Sequence, residues 1–280
     1  MKSAASNLLS TLQITFHDRQ EQKSRKERYP FNNERGSYVR VEADADFLFQ
    51  DRALYNEDQN IFLVPGRNGH PSDFFPLVNR LREHGIASPF YIVCLGENGE
   101  TSVAEDSEIL AHVVEEVQSG FVEVLTGQSD MSVPSRHKAV VIGLSKGGLV
   151  ATRAAQYLTK KIGKVITIGS PLYGTSSAVW PVVGQTTLED MGWLNPRVIK
   201  LAEDLKDNPR PPLLYHVYSD YDYVVSPPEA AYYAFTPPRR IYQCEKKVTH
   251  FGLTSDRGVG EAVAAWLKAE ARGPAAKSKI

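Results

Sequence analysis

The chain has 280 residues, 42% of them hydrophobic, and its 32 basic side chains almost balance 33 acidic ones, leaving a formal charge of −1. That length and apolar content suffice for one large core, and the near-neutral balance excludes a bulk positive field of the kind that gathers nucleic acid. No run of about 18 apolar residues occurs, and Met1 to Phe16 lacks both a long apolar stretch and a clear cleavage site, so a membrane span and Sec export are not expected and a cytoplasmic location is.

In chain order, residues 1–36 read as an arm. Its basic residues Arg19, Lys23, Arg25, Lys26 and Arg28 are interleaved with Asp18, Glu21 and Glu27, which suits a solvated flexible segment; contact with an anionic membrane surface is the alternative. Ser37 to Leu54 is expected to add one or two antiparallel edge strands. Beyond it, apolar runs at 61–64, 90–95, 139–143, 164–168, 213–218 and 239–243 alternate with helical stretches at 72–84, 105–118, 147–161 and 258–271. Continuous apolar strands separated by amphipathic helices imply an α/β fold, with a mostly parallel sheet covered on both faces. No linker or internal repeat divides residues 37–272, which read as one domain followed by a tail at 273–280.

An insertion at about 174–212 interrupts the alternation. It holds Trp180, Val183, Met191 and Trp193, followed by a helical pattern of Val198, Leu201, Ala202 and Leu205. Placed between two strands, such a segment suits a cap or lid over a site at the sheet edge, with its apolar side chains facing a bound substrate. Alternatively, these side chains fill the insertion's own small core. Cys94 and Cys244 both lie in strand-like runs and read as buried reduced thiols, and no metal-ligand spacing of Cys or His occurs.

The most informative segment is Val140 to Ala151, where an apolar run leads into Gly143-x-Ser145-x-Gly147 and then into a helix. A serine lifted clear of a sheet must sit on a very tight strand-to-helix turn, and glycines remove the Cβ atoms that would collide there. The helix behind it aims backbone N–H groups and its positive dipole end at the place where an oxyanion would form. Such a serine needs a base and a group to orient that base. Where this turn is used, the acid and then the histidine follow the serine in the chain. Only His216 and His250 come after Ser145. His216 lies within the apolar run Leu213 to Tyr218 and reads as a satisfied core residue; His250 lies on a loop before the last helix and is the expected base.

The acid is expected on the loop after the strand that holds His216. Asp222 is preferred because Val224-Val225-Ser226-Pro227 would anchor a turn beneath it, and Asp220 is the alternative. The expected oxyanion donors are the backbone N–H groups of Lys146, next to the serine, and of Arg67, in the loop Pro65 to Pro71.

The elbow at 143–147, Val64-Pro65-Gly66, Gly169-Ser170-Pro171 with Gly174-Thr175, and Thr249-His250-Phe251-Gly252 together resemble the α/β-hydrolase superfamily. More narrowly, the chain is similar to the lipase-like branch that holds triacylglycerol lipases, palmitoyl-thioesterase-like and inositol-deacylase-like enzymes. The resemblance covers roughly Gln59 to Arg272, and Pro65 departs from the histidine usual before the oxyanion glycine. It implies an α/β-hydrolase fold with a triad of Ser145, Asp222 and His250, no cofactor and no metal. The expected activity is hydrolysis of a lipid or other acyl ester. A thioesterase or acyltransferase would use the same residues, and a non-catalytic binding protein on this scaffold is the rival from another class.

Overall fold

The computed structural model describes residues 38–41, 59–95, 101–119, 121–123, 129–131, 137–176 and 190–269. The N-terminal arm and the C-terminal tail lie outside them, as do Trp180 and Val183. The strands are β1 (Tyr38–Val41), β2 (Ile61–Val64), β3 (Phe90–Val93), β4 (Phe121–Glu123), β5 (Ser129–Met131), β6 (Ala139–Leu144), β7 (Ile162–Ile168), β8 (Leu213–Tyr218) and β9 (Ile241–Gln243). The α-helices are α1 (Phe75–Glu83), α2 (Val103–Gln118), α3 (Lys146–Tyr157), α4 (Pro196–Asp207) and α5 (Arg257–Ala269).

Among the described residues, seven strands form one sheet in the order β1-β3-β2-β6-β7-β8-β9. Six of them run parallel, and β1 pairs antiparallel with β3 at one edge, as expected for the segment before the parallel series. The β2, β3 and β6 strands are apolar almost throughout because both their faces are covered. On one face, Leu110, Val113 and Val114 of α2 and Leu149, Val150 and Ala154 of α3 pack on the sheet; on the other, α1 and α5 bring Leu77, Leu81, Val259 and Val263. The small antiparallel pair β4-β5 was not legible in the sequence, because its three-residue strands are too short to show an apolar pattern.

Several element ends differ from the expectation for local reasons. The α2 helix starts two residues early because Ser102 accepts from Glu105 N–H while the Glu105 carboxylate accepts from Ser102 N–H, a reciprocal cap. The first helical segment is split into a 3-10 turn at Pro71–Phe74 and the α-helix α1, since Pro76 has no N–H to donate back into the preceding turn. The β9 strand is shortened to Ile241 by a 3-10 turn at Pro238–Arg240.

Register matters most for the chemistry. Leu144 pairs with Ile168, and Ile168 pairs with Val217, so the carboxyl ends of β6, β7 and β8 lie side by side. Ligands of open α/β sheets bind beyond that edge.

His216, in the centre of β8, is a core residue as its setting implied. It is wholly buried, with Nδ1 2.8 Å from Thr167 Oγ1 and Nε2 3.0 Å from Thr236 Oγ1. Burial pushes its pKa from 6.5 down to about 3. The unfolded chain therefore binds this proton more readily than the folded one. The resulting stability is fully present above the ordinary value of 6.5 and is lost as pH falls toward 3. At pH 4.5 the loss should amount to about 2–3 kcal/mol. Urea denaturation at pH 7 and pH 4.5 is expected to show a smaller pH dependence in His216→Gln than in the wild type; an equal dependence would remove His216 as its source.

Candidate active site

Directly after the buried strand β6, Ser145 turns the chain into α3. Its backbone sits at φ 54° and ψ −125°, a conformation that costs a non-glycine residue about 1–3 kcal/mol and is usually held only by its surroundings. Those surroundings are visible. Ser145 N–H donates to Ile168 O at 2.9 Å, and Gly148 N–H donates to Ser145 O at 3.0 Å. A Cβ at Gly147 would stand 2.0 Å from Val64 O, so the turn is pressed directly against the end of β2. The elbow read from the sequence is therefore formed, for the steric reason that its glycines suggested.

The next strand contributes Gly169, which has φ +53°. A Cβ there would lie 2.9 Å from Asp222 Oδ2 and 3.3 Å from His250 Nδ1. Asp222 follows β8, and its Oδ2 accepts from His250 Nδ1 at 2.8 Å, while its Oδ1 accepts Val224 N–H and Val225 N–H, each at 3.0 Å. Both side chains of this pair are at least nine-tenths buried. The turn expected beneath Asp222 is thus what orients its carboxylate. Asp220 instead accepts from Gln243 Nε2 at 2.6 Å on the surface. Of the two aspartates, only Asp222 meets the histidine.

His250 opens a 3-10 helix, His250–Ser255, and lines one small pocket with Ser145. Leu144, Phe251 and Thr254 also line it, together with Gly66, Arg67 and Gly69 of the loop after β2 and Asp73 of the 3-10 turn that follows. A Cβ at Gly66 would come within 2.8 Å of Ser145 Cβ, which shows how closely this loop is seated on the elbow. No hydrogen bond joins Ser145 Oγ to His250; such bonds are commonly long in unliganded sites and tighten when substrate is bound. The cavity measures ≈ 30 Å³, room for a water or two or for a reacting carboxyl group, but not for an acyl chain.

Lys146, the expected first oxyanion donor through its N–H, begins α3. That N–H lies in the first turn, where no intrahelical acceptor exists. Its side chain was not singled out by sequence reasoning. It is wholly buried, donating from Nζ to Asp106 Oδ2 and to Thr101 O, each at 2.5 Å. Desolvation lowers the pKa of this ammonium, and Asp106 opposes the shift. Arg67, expected as the second donor, lines the pocket one residue beyond Gly66.

The insertion differs from the expectation in its described part. Met191 is buried in the main core together with Val198, Leu201, Ala202 and Leu205 of α4, and it does not line the Ser145 pocket. The reason is the i, i+3, i+4, i+7 spacing of the α4 residues, which gives that helix one apolar face to bury against the helical layer of the core; Gln156 of α3 fastens it through a 3.2 Å bond to Leu201 O. Trp193 is 40% exposed and likewise outside the pocket wall. Trp180 and Val183 lie outside the described residues. Asp73, Phe251 and Thr254 were missed, because a pocket wall drawn from separate loops has no periodic signal. Cys94 and Cys244 are buried and unbonded to each other, as expected.

Gly169→Ala tests how tightly the Asp222–His250 pair is held. The added methyl would crowd both partners and occupy a left-handed backbone, at a cost of about 1–2 kcal/mol. A fall in kcat of at least tenfold with a lowered melting temperature is expected; wild-type kcat would mean that the pair has more room than these contacts allow.

The sequence profile of the Alpha/beta hydrolase family matches residues 61–277. The chain belongs to that family. No curated protein sequence matches it. Among solved structures, the mature form of the Bacillus licheniformis lipase BlEst2 superposes with a TM-score of 0.61 at 12% identity, covering 84% of this chain and 99% of that one. A monoacylglycerol lipase of Paleococcus ferrophilus gives 0.56 at 15% identity, covering 83% and 98%. Aspergillus fumigatus lipase B gives 0.54 at 18% identity, covering 72% of this alpha/beta hydrolase and 50% of that chain. At these identities the likeness is one of fold, and the residues that carry chemistry must be argued from the site itself.

Proposed function

We propose that this alpha/beta hydrolase is a serine ester hydrolase that cleaves a lipid or other acyl ester through an acyl-enzyme on Ser145. The observation that carries the reading is the 2.8 Å bond between Asp222 and His250, with the His250 ring and Ser145 on one pocket at the carboxyl edge of the sheet. His250 Nε2 takes the proton of Ser145 Oγ as that oxygen attacks the ester carbonyl, and Asp222 holds the ring in the tautomer that leaves Nε2 free. The tetrahedral oxyanion rests on the N–H groups of Lys146 and Arg67. The imidazolium then protonates the departing alcohol oxygen, and the acyl group stays on Ser145. Water, deprotonated by His250, attacks the acyl-enzyme and releases the carboxylic acid, which restores the serine. No cofactor enters this scheme.

The solved lipases that share the fold support an acyl ester as the substrate class. The small cavity at Ser145 confines the reacting carbonyl, so the acyl chain must extend beyond it. Hydrolysis of p-nitrophenyl esters from acetyl to palmitoyl, wild type beside Ser145→Ala, tests both parts. Activity lost in the variant supports the nucleophile, and a maximum at the longer acyl groups supports a lipid ester. A maximum at acetyl would move the reading to a short-chain esterase, and no cleavage of any ester would overturn it.

A further inference from the structure

Behind Ser145 lies a charged pair that the scheme above does not use. Lys146 and Asp106 form an ion pair in which neither side chain has any exposed surface. Asp106 lies in the first turn of α2, and Thr101 holds both partners, its carbonyl accepting from Lys146 Nζ and its hydroxyl donating to Asp106 Oδ1. A second buried carboxylate, Asp190, accepts Val103 N–H at 3.0 Å and pairs with Arg197, so the start of α2 is fastened from two sides.

Stability alone does not explain the pair. Two charges removed from water generally give no net gain over apolar residues of the same volume, whereas deleting one partner leaves an uncompensated charge and is costly. The two helices already pack through Leu110, Val113, Leu149 and Val150 without it. What the pair does is geometric. The peptide between Ser145 and Lys146 follows a strained residue, and its N–H must aim at a developing oxyanion. Directly after that peptide, the Lys146 side chain is tethered to α2 and Gly147 is pressed on Val64 O.

We infer that the Lys146–Asp106 pair is a positioning device for the Ser145–Lys146 peptide, anchoring the oxyanion donor to the capped start of α2. The inference rests on the reading of Ser145 as nucleophile. Lys146 acts at the reaction through its backbone, and Asp106 acts only through Lys146.

The test compares wild type, Lys146→Met, Asp106→Leu and the double variant in p-nitrophenyl ester kinetics, thermal melting and the rate of labelling by a fluorophosphonate. The single variants are expected to melt early, and the double variant to recover most of the melting temperature. Its kcat and labelling rate should nevertheless stay about a hundredfold down, with KM changed less than about threefold, because the tether is gone while the charge imbalance is not present. Wild-type kcat in a double variant that melts normally would reduce the pair to a structural clasp and overturn the inference. Thr101→Val, which removes the hydroxyl bond to Asp106 and keeps the carbonyl that accepts from Lys146, is the milder probe if the double variant does not fold; it should lower kcat several-fold at unchanged KM, and an unchanged kcat would overturn the inference equally. Absence of both ester cleavage and labelling in the wild type would instead overturn the nucleophile reading on which all of this rests.

Discussion

Ser145→Ala is expected to lower kcat/KM for ester hydrolysis by a factor on the order of a million, while the far-ultraviolet circular dichroism remains that of the wild type. The size follows from the unit formed by nucleophile and base: once the attacking oxygen is gone, the histidine has no proton to take, and only oxyanion binding and substrate positioning remain. The fold should be indifferent, because the hydroxyl makes no hydrogen bond among the described residues and the residue is partly exposed. Its backbone is not indifferent. Alanine keeps the Cβ that makes φ 54° costly and glycine does not, so Ser145→Gly should be more stable than Ser145→Ala by about 1 kcal/mol in urea denaturation. Activity of Ser145→Ala within tenfold of the wild type would remove the acyl-enzyme from the scheme.

Asp222→Asn is expected to reduce kcat by about ten-thousandfold, and Asp220→Asn by less than twofold. The contrast is geometric. Asp222 accepts two backbone N–H groups through Oδ1 and His250 Nδ1–H through Oδ2, so it uses both oxygens only as an acceptor. An asparagine in its place must turn an NH2 either toward those backbone donors or toward the imidazole. The second choice makes Nδ1 the acceptor and puts the proton on Nε2, where it blocks removal of the serine proton. Asp220 has no such duty, being bonded to Gln243 at the surface. The two variants should therefore be compared at one pH by steady-state kinetics, with melting temperatures measured alongside. Equal losses would mean that the 2.8 Å contact does not orient the catalytic ring.

What could be read in the sequence had local causes. Gly143, Ser145 and Gly147 were informative because a strand-to-helix turn pressed against a neighbouring strand tolerates few residues at those places, and five consecutive positions carry the whole requirement. The parallel sheet was legible because strands buried on both faces must be apolar throughout, a pattern that each segment shows by itself. His216 was separable from His250 for the same reason, since one lies inside such a run and the other beyond it.

Tertiary structure decided what depends on partners far apart in the chain. Asp220 and Asp222 are two residues apart, and only the placement of His250, which follows Asp222 by 28 positions, distinguishes them. Met191 belongs to an apolar set that suits a substrate wall or a core equally well, and the apolar face of α4 resolved it as core. Gly169 stands in the sequence only as part of the Gly169-Ser170-Pro171 resemblance, and its close approach to Asp222 and His250 is visible only in the packed structure. Lys146 lies inside the most legible motif of the chain, yet its buried partner Asp106 is 40 positions earlier, on another helix. Periodicity and turn chemistry are properties of neighbours along the chain, and so were available from the sequence. The pairing of charges, the choice of acid and the walls of the pocket are properties of neighbours in space, which only the packed sheet and its helices determine.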